Sequence, residues 1–332
     1  MTRSLDDICA FPDPPLGKAV WPWIRSGPSA ITTGAMDGLP RISIVTPSYN
    51  QGQYIEETIR SVLLQGYPNL EYIIIDGGST DNTVEVIRKY EPWITYWVSE
   101  PDRGQSHAIN KGFERATGDI LGWLCSDDLL MPGALDLVGA CFATHQDCYW
   151  LAGAAESVRL PEGTRSHYSA GTRGQLGFLA YWQYGVSGNS CPQPSTFWRK
   201  PLWEMAGQLR EDNHLAMDYE LWLEFERRAP LHVLDAVLSV SRIHDSCKSV
   251  SRRLEQGREM MSCAYRAARQ RGMAPYQLTL AMARWLFPHR LRQIGANLRG
   301  RWWGGALYHL VCLPLDPFRV WFEKPRVHML RR

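Results

Sequence analysis

Two adjacent carboxylates, Asp127 and Asp128, close the stretch Gly118-Asp-Ile-Leu-Gly-Trp-Leu-Cys-Ser-Asp-Asp128. Before them, Ile120 to Leu124 is an apolar run of the length of a buried strand. After them, Pro132-Gly133 restarts the chain. Paired acids at a strand end can hold a hard divalent cation and, through it, a phosphate. Asp is also common in turns and at helix N-caps, so the pair alone also fits an ordinary turn. The two readings separate on whether other strand ends bring polar residues to the same edge.

The elements before the pair supply that edge. Arg41 to Thr46 has the pattern of a strand, closed by Pro47-Ser-Tyr-Asn50, and Ile55, Ile59, Val62 and Leu63 mark one face of a helix. Leu70 to Ile75 is a second buried strand, ending at Asp76 and Gly77-Gly-Ser-Thr-Asp81, where Ser79 or Thr80 can cap a helix running to about Tyr90. Ile94 to Ser99 is a third strand, followed by Glu100-Pro-Asp-Arg-Gly104, and His107 to Thr117 reads as helix. This alternation predicts an α/β fold with a doubly wound, mostly parallel sheet flanked by helices. Asn50, Asp76, Asp102 and Asp127/Asp128 stand at four successive strand ends, the edge where such sheets bind ligands.

Beyond residue 145 the pattern loosens. Tyr149 to Ala155, Thr196 to Trp198 and His232 to Ser241 read as strands, and Asp218 to Arg228 as helix. The Gly- and Ser-rich segment from about Ser166 to Asn189 predicts loop with a short helix. Three regions follow: an extended arm, 1–40, anchored by Trp21 and Trp23; a domain at 41–250 with halves 41–145 and 146–250; and a basic helical extension, 251–332.

The net charge of +2 hides an asymmetry, since residues 251–332 carry 16 Lys/Arg against 4 Asp/Glu, or +12, leaving −10 for 1–250. Such a tail suits an anionic surface. Its arginines, among them Arg284, Arg290, Arg292, Arg299 and Arg301, alternate with Trp285, Leu291, Leu298, Trp302 and Trp303, the pattern of a helix lying on a membrane. Packing of these tryptophans on the acidic domain fits the same pattern. No nucleic-acid module is recognisable, so nucleic acid is not an expected partner. The longest uncharged run of the tail, Trp302 to Leu315, is too short to span a bilayer, and Met1 to Asp7 lacks a signal-peptide core. The eight cysteines include no C-x-x-C pair. The expected location is cytoplasmic, with peripheral attachment to the inner membrane face as an option.

A nicotinamide enzyme would need G-x-G-x-x-G after the first strand, where Thr46-Pro-Ser-Tyr-Asn-Gln-Gly52 stands, and no P-loop sequence occurs. Without glycine cradles, a diphosphate needs a cation. Ile44-Val-Thr-Pro-Ser-Tyr-Asn50, Ile75-Asp-Gly-Gly-Ser-Thr-Asp-Asn82, Ser99-Glu-Pro-Asp-Arg-Gly104, Ala108-Ile-Asn-Lys-Gly112 and Ser126-Asp-Asp128 closely resemble the family 2 glycosyltransferases of GT-A fold. The resemblance is dense over 41–145 and thinner to about 250.

It implies a nucleotide-sugar donor linked to UDP, a cation, Mg²⁺ or Mn²⁺, and transfer, usually with inversion, to a hydroxyl of a glycan or lipid-linked saccharide. It implies that Pro47, Ser48, Tyr49 and Asn50 line the nucleotide pocket and that Asp76 accepts a hydrogen bond from the base. Arg103, His107 and Lys111 are the cations available to phosphate oxygens, although Lys111 also fits a solvated helix face. Asp102 and Gly104 would shape the loop against the donor, with Ser126 and Asp128 beside the sugar. The metal motif departs from Asp-x-Asp, because Cys125 fills the first position and leaves Asp127 as the metal-ligating acid. The resemblance also implies a metal or diphosphate role for His244 and makes Asp218, in Leu215-Ala-Met-Asp-Tyr-Glu220, the general base. By pattern alone Asp218 also fits an N-cap, and a lone histidine a structural role. Cys191 to Thr196 falls on the acceptor side, while Glu220 and Glu224 read as surface acids. The altered motif also leaves open a non-catalytic protein that binds nucleotide-sugars or glycans.

Overall fold

A computed structural model describes residues 11–24, 38–171 and 191–273. The strands are β1 (Ile42–Ser48), β2 (Leu70–Asp76), β3 (Tyr96–Ser99), β4 (Ile120–Trp123), β5 (Leu129–Leu130), β6 (Trp150–Arg159), β7 (Thr164–Tyr168), β8 (Thr196–Arg199) and β9 (His232–Ile243). The helices used below are α1 (Ile55–Leu63), α2 (Thr83–Lys89), α3 (Gln105–Arg115), α4 (Ala134–Thr144), α5 (Lys200–Ala206), α6 (Met217–Glu226) and α7 (Arg253–Gln270). The strands form one sheet in the order β3-β2-β1-β4-β8-β6-β9-β5, with β7 paired to β6. Strands β1 to β4, β6 and β9 run one way, and β5, β7 and β8 run the other. Among the described residues, no helix is long and apolar enough to cross a membrane.

Alternation along the central strands builds a core on each face. Ile42 and Ile44 of β1, with Tyr72 and Ile74 of β2, meet Ile55, Ile59 and Val62 of α1. Val45, Ile73 and Ile75 point the opposite way, onto Ala108, Ile109 and Phe113 of α3. Each such isoleucine, fully buried, contributes roughly 1.5–3 kcal/mol relative to exposure. With both faces covered the strands read as continuous apolar runs, which is why they were visible in the sequence.

Tryptophans seat α6 on the sheet. Trp222 stacks on Trp123 of β4 and Trp150 of β6, both at 5.8 Å between ring centroids. Trp150 donates Nε1–H to the Ala229 carbonyl at 2.9 Å. The arm is tied to α1: Trp23 donates to Glu57 Oε1 at 3.0 Å, and buried Arg60 donates to the carbonyls of Pro12, Pro22 and Trp23. Trp21 donates to the Leu130 carbonyl at 2.9 Å.

Local differences from the sequence expectations have clear causes. Helix α2 begins at Thr83, where Asp81 Oδ1 accepts the Thr83 amide at 3.0 Å. Ser79 and Thr80 therefore do not cap it, and the Ser79 hydroxyl donates to Asp76 Oδ1 at 2.5 Å instead. Helix α3 starts at Gln105 rather than His107, directly after Gly104, whose φ of +112° suits glycine. Residues 164–168 form a strand against β6, not the start of a loop, and the loop predicted for 172–189 lies outside the described residues. Two-residue β5 pairs Leu129 with Val240 of β9 and carries no pattern a sequence could reveal.

Candidate active site

Pairing of β5 with β9 swings the end of β9 against the two acids. There Arg242 is buried and serves as the joint. Its amide donates to Asp128 Oδ1 at 3.1 Å, and its guanidinium donates to the Asp127 carbonyl, to Glu57 Oε2 at 2.6 Å, and to the Tyr54 carbonyl and Thr58 Oγ1, both at 3.0 Å. Glu57 also takes the bond from Trp23, so the arm, α1 and β9 converge on the backbone that carries Asp127. Arginine suits this place because its fork of five donors serves several acceptors at once.

His244 Nε2 then lies 3.2 Å from Asp127 Oδ2. The imidazole is 5% exposed, stacked on Tyr54 at 4.5 Å, with Nδ1 2.7 Å from the Ser246 hydroxyl. Cys247 offers its sulfur to the same cluster. That thiol donates to the Arg242 carbonyl at 3.4 Å, and soft sulfur suits Mg²⁺ or Mn²⁺ poorly. A carboxylate and an imidazole remain, a donor set that fits Mn²⁺ or Mg²⁺ completed by diphosphate oxygens. Burial and then the Asp127 charge push the Asp128 carboxyl well above the ordinary range. Burial, with Asp128 and Asp127, does the same to the Cys125 thiol.

These groups open on a cleft of about 1750 Å³ at the carboxyl ends of β1 to β4. Pro47, Ser48, Tyr49, Asp102, Gly104, Ser126, Asp127 and Asp128 line it. Ser48 Oγ and Gln51 Oε1 are buried there without a hydrogen-bond partner, two polar atoms a bound ligand would satisfy. Asp102 Oδ1 accepts the Gly104 amide at 2.7 Å, and a Cβ at Gly77 would meet Asp102 Oδ2 at 2.7 Å, so only glycine lets the two loops approach this closely.

Asp218 lies on the same cleft, one residue inside the start of α6. It is half-buried, and burial raises its carboxyl above the ordinary range even though Oδ1 accepts the Tyr219 amide at 2.8 Å. Asp218 does not serve as the N-cap, which is Ala216. Cys125, Asp127 and Asp218 line the same cleft, and the thiol feels the charges of both acids.

Other expected site residues sit elsewhere. Asp76 is fully buried, and its oxygens already accept bonds from the Gly78 and Ser79 amides and the Ser79 and Ser99 hydroxyls, so Gly77 and Gly78 face the cleft in its place. Asn50, at φ +53°, accepts the Thr80 amide at 2.9 Å and braces that loop from outside. Arg103 forms a two-pronged pair with Glu211 at 2.5 and 2.7 Å, Lys111 pairs with Glu100, and His107 Nδ1 accepts the Arg103 amide at 3.2 Å. None of these three cations lines the cleft.

Besides Arg159 and Arg242, two cations from later in the chain line it. Lys248, whose ammonium burial depresses, donates to Gln105 Oε1 at 3.1 Å, and Arg258 is presented by α7. Residues 256–261 of α7 also contribute Met260 and Met261, so the start of the basic extension is a wall of the site. Only the positive charge of that region hinted at this.

Residues 43–204 match the model of glycosyl transferase family 2. That segment, just under half of the chain, carries the family's domain. Curated relatives of this chain include an uncharacterised glycosyltransferase of Mycobacterium tuberculosis, 42% identical over 94 residues, which are 28% of this chain and 36% of that protein. TuaG of Bacillus subtilis, named for teichuronic acid biosynthesis, is 44% identical over 92 residues, 27% of this chain and 36% of its own. The chain thus spans about a third of the length of these relatives. Its GT-A type fold matches S. aureus TarS 1–349 in complex with UDP-GlcNAc at a TM-score of 0.58 and 19% identity, covering 84% of this chain and 82% of that one. It also matches the mannosyltransferase PcManGT from Pyrobaculum calidifontis in complex with GDP-Man and Mn²⁺ at a TM-score of 0.53 and 19% identity, covering 86% and 88%.

Proposed function

We propose that this glycosyltransferase moves a sugar from a nucleotide-sugar donor to a hydroxyl of a glycan or lipid-linked saccharide, with inversion. The observation that carries the reading is one cleft holding Asp127, backed by His244, together with a raised Asp218 carboxyl. Asp127 and His244 would hold Mn²⁺ or Mg²⁺, which when bound neutralises charge on the leaving diphosphate. Ser48 and Gln51 bind the donor through their unpartnered oxygens, and Lys248 faces the anionic end. Asp218 takes the acceptor proton as the acceptor oxygen bonds to the anomeric carbon. The old bond to the diphosphate breaks, and its electron pair leaves with the nucleoside diphosphate.

Incubation with UDP-glucose, UDP-GlcNAc, a UDP-uronic acid and GDP-mannose, each with Mn²⁺, is expected to release nucleoside diphosphate from at least one donor, and to stop on chelation. Saturable binding of UDP or GDP without release from any donor, acceptor mixtures included, would instead identify a non-catalytic binder.

Attachment to the inner membrane face is part of the proposal and is supported by the +12 charge of residues 251–332. Most of that segment, 274–332, lies outside the described residues. The full chain is expected to co-sediment with anionic vesicles at low salt and to leave them at high salt. Equal recovery with neutral and anionic vesicles ends the membrane reading.

A further inference from the structure

We propose that Cys141, His145, Cys148 and His232 form a binding site for a thiophilic divalent cation such as Zn²⁺, remote from the cleft. Cys141 and His145 stand at the C-terminal end of α4 and just beyond it, Cys148 just before β6, and His232 at the start of β9. One ligand atom each from Cys141, His145 and His232 lies within 4.8 Å of the others. Cys141 Sγ is 3.9 Å from His145 Nδ1, and the two imidazole rings are 5.1 Å apart. Tetrahedral zinc with sulfur and nitrogen ligands holds its donors roughly 3.3–3.8 Å apart, so small side-chain rotations close the set.

Cys148 lies outside this set, its thiol donating to the Trp150 carbonyl at 3.6 Å, and would complete it by a side-chain rotation. Leu151 of β6 pairs with His232 in register, which brings the chain just before β6 alongside the histidine, and the Cys148 thiol adjoins that of Cys141. Arg199 fixes the framework by donating to the carbonyls of Phe142, His145 and Cys148, at 2.8, 3.1 and 2.8 Å. It thereby pins the α4 terminus and the ligand-bearing loop from one point. Two thiolates and two neutral imidazoles balance a divalent cation, and the negative end of α4 favours charge of that sign. Binding releases the two thiol protons to solvent. His232 starts β9 while His244, the partner of Asp127, follows its far end, and none of the four proposed ligands lines the cleft. The site would tie the starts of β6 and β9 to α4, independently of sugar transfer.

The test is titration of the reduced, chelator-treated full chain with Co²⁺, read by absorbance. One equivalent is expected to give the thiolate charge-transfer band and the visible bands of a tetrahedral centre. The signal should persist in Asp127→Ala and Cys247→Ser, which remove potential ligands in the cleft. It should be lost, or need at least about 10-fold more Co²⁺, in His145→Gln and Cys148→Ser. His145 is exposed, so its substitution leaves the core closed if Cys148→Ser proves unstable. Absence of the band at stoichiometric Co²⁺ overturns the proposal, as does its retention in His145→Gln with loss in Cys247→Ser.

Discussion

Asp127→Ala is expected to abolish the metal-dependent part of nucleoside diphosphate binding and to lower transfer on the order of 10³-fold, the scale of several kcal/mol of lost charge stabilisation. The variant should fold, because the bonds holding this backbone do not use the Asp127 side chain. The Asp127 carbonyl still accepts from Arg242, and Asp128 still accepts the Arg242 amide. His244 keeps its stack on Tyr54 and its contact with Ser246, so the imidazole stays in place with one partner missing. Alanine also removes one of two adjacent acids, which leaves burial alone to raise Asp128 and relieves the repulsion that adds to it. Stability should therefore hold while metal affinity falls. Calorimetric titration of UDP with and without Mn²⁺ separates these effects, and unchanged metal dependence would remove Asp127 from the cation site.

How much of this could be read from the sequence depends on how local each interaction is. β1 and β2 were legible because both faces are buried, and the four polar strand ends followed from them. Asp127, His244 and Asp218 were reached through motif resemblance, and the first two prove to be adjacent although far apart in the chain. Nothing in the local sequence marks out Arg242. Its importance comes from two-residue β5, which brings β9 to Asp127 and leaves no periodic trace. Arg103, His107 and Lys111 were chosen for closeness along the chain, yet helix geometry and nearby acids turn Arg103 and Lys111 toward Glu211 and Glu100. Lys248 and Arg258 take up the cleft instead, contributed by segments whose packing no local pattern encodes. Asp76 has the right residue type at a strand end, but four donors around it make it the hub of its own loop.

Asp218→Asn is expected to leave donor affinity near wild type while lowering turnover at least about 10²-fold, the usual contribution of a positioned general base. Asn keeps the acceptor for the Tyr219 amide and the volume, so the start of α6 is undisturbed. Two further readouts distinguish a base from a merely structural residue. Burial raises the Asp218 carboxyl, so wild-type turnover should fall on the acid side at a pH above the ordinary carboxylate range, and that limb should vanish in the residual activity of the variant. The stability effect has the opposite sense to that of a salt-bridged acid. With the folded pKa above the unfolded one, the contribution of the protonated carboxyl is fully present below the unfolded value and is lost as pH rises through the folded value. At neutral pH the ionised side chain therefore destabilises the fold, and Asp218→Asn should melt higher there, with the advantage shrinking as pH falls through that window. Thermal melts at neutral and acid pH, beside initial rates across the same range, check both. A variant with near-normal turnover and an unchanged acid limb would place the base elsewhere in the cleft.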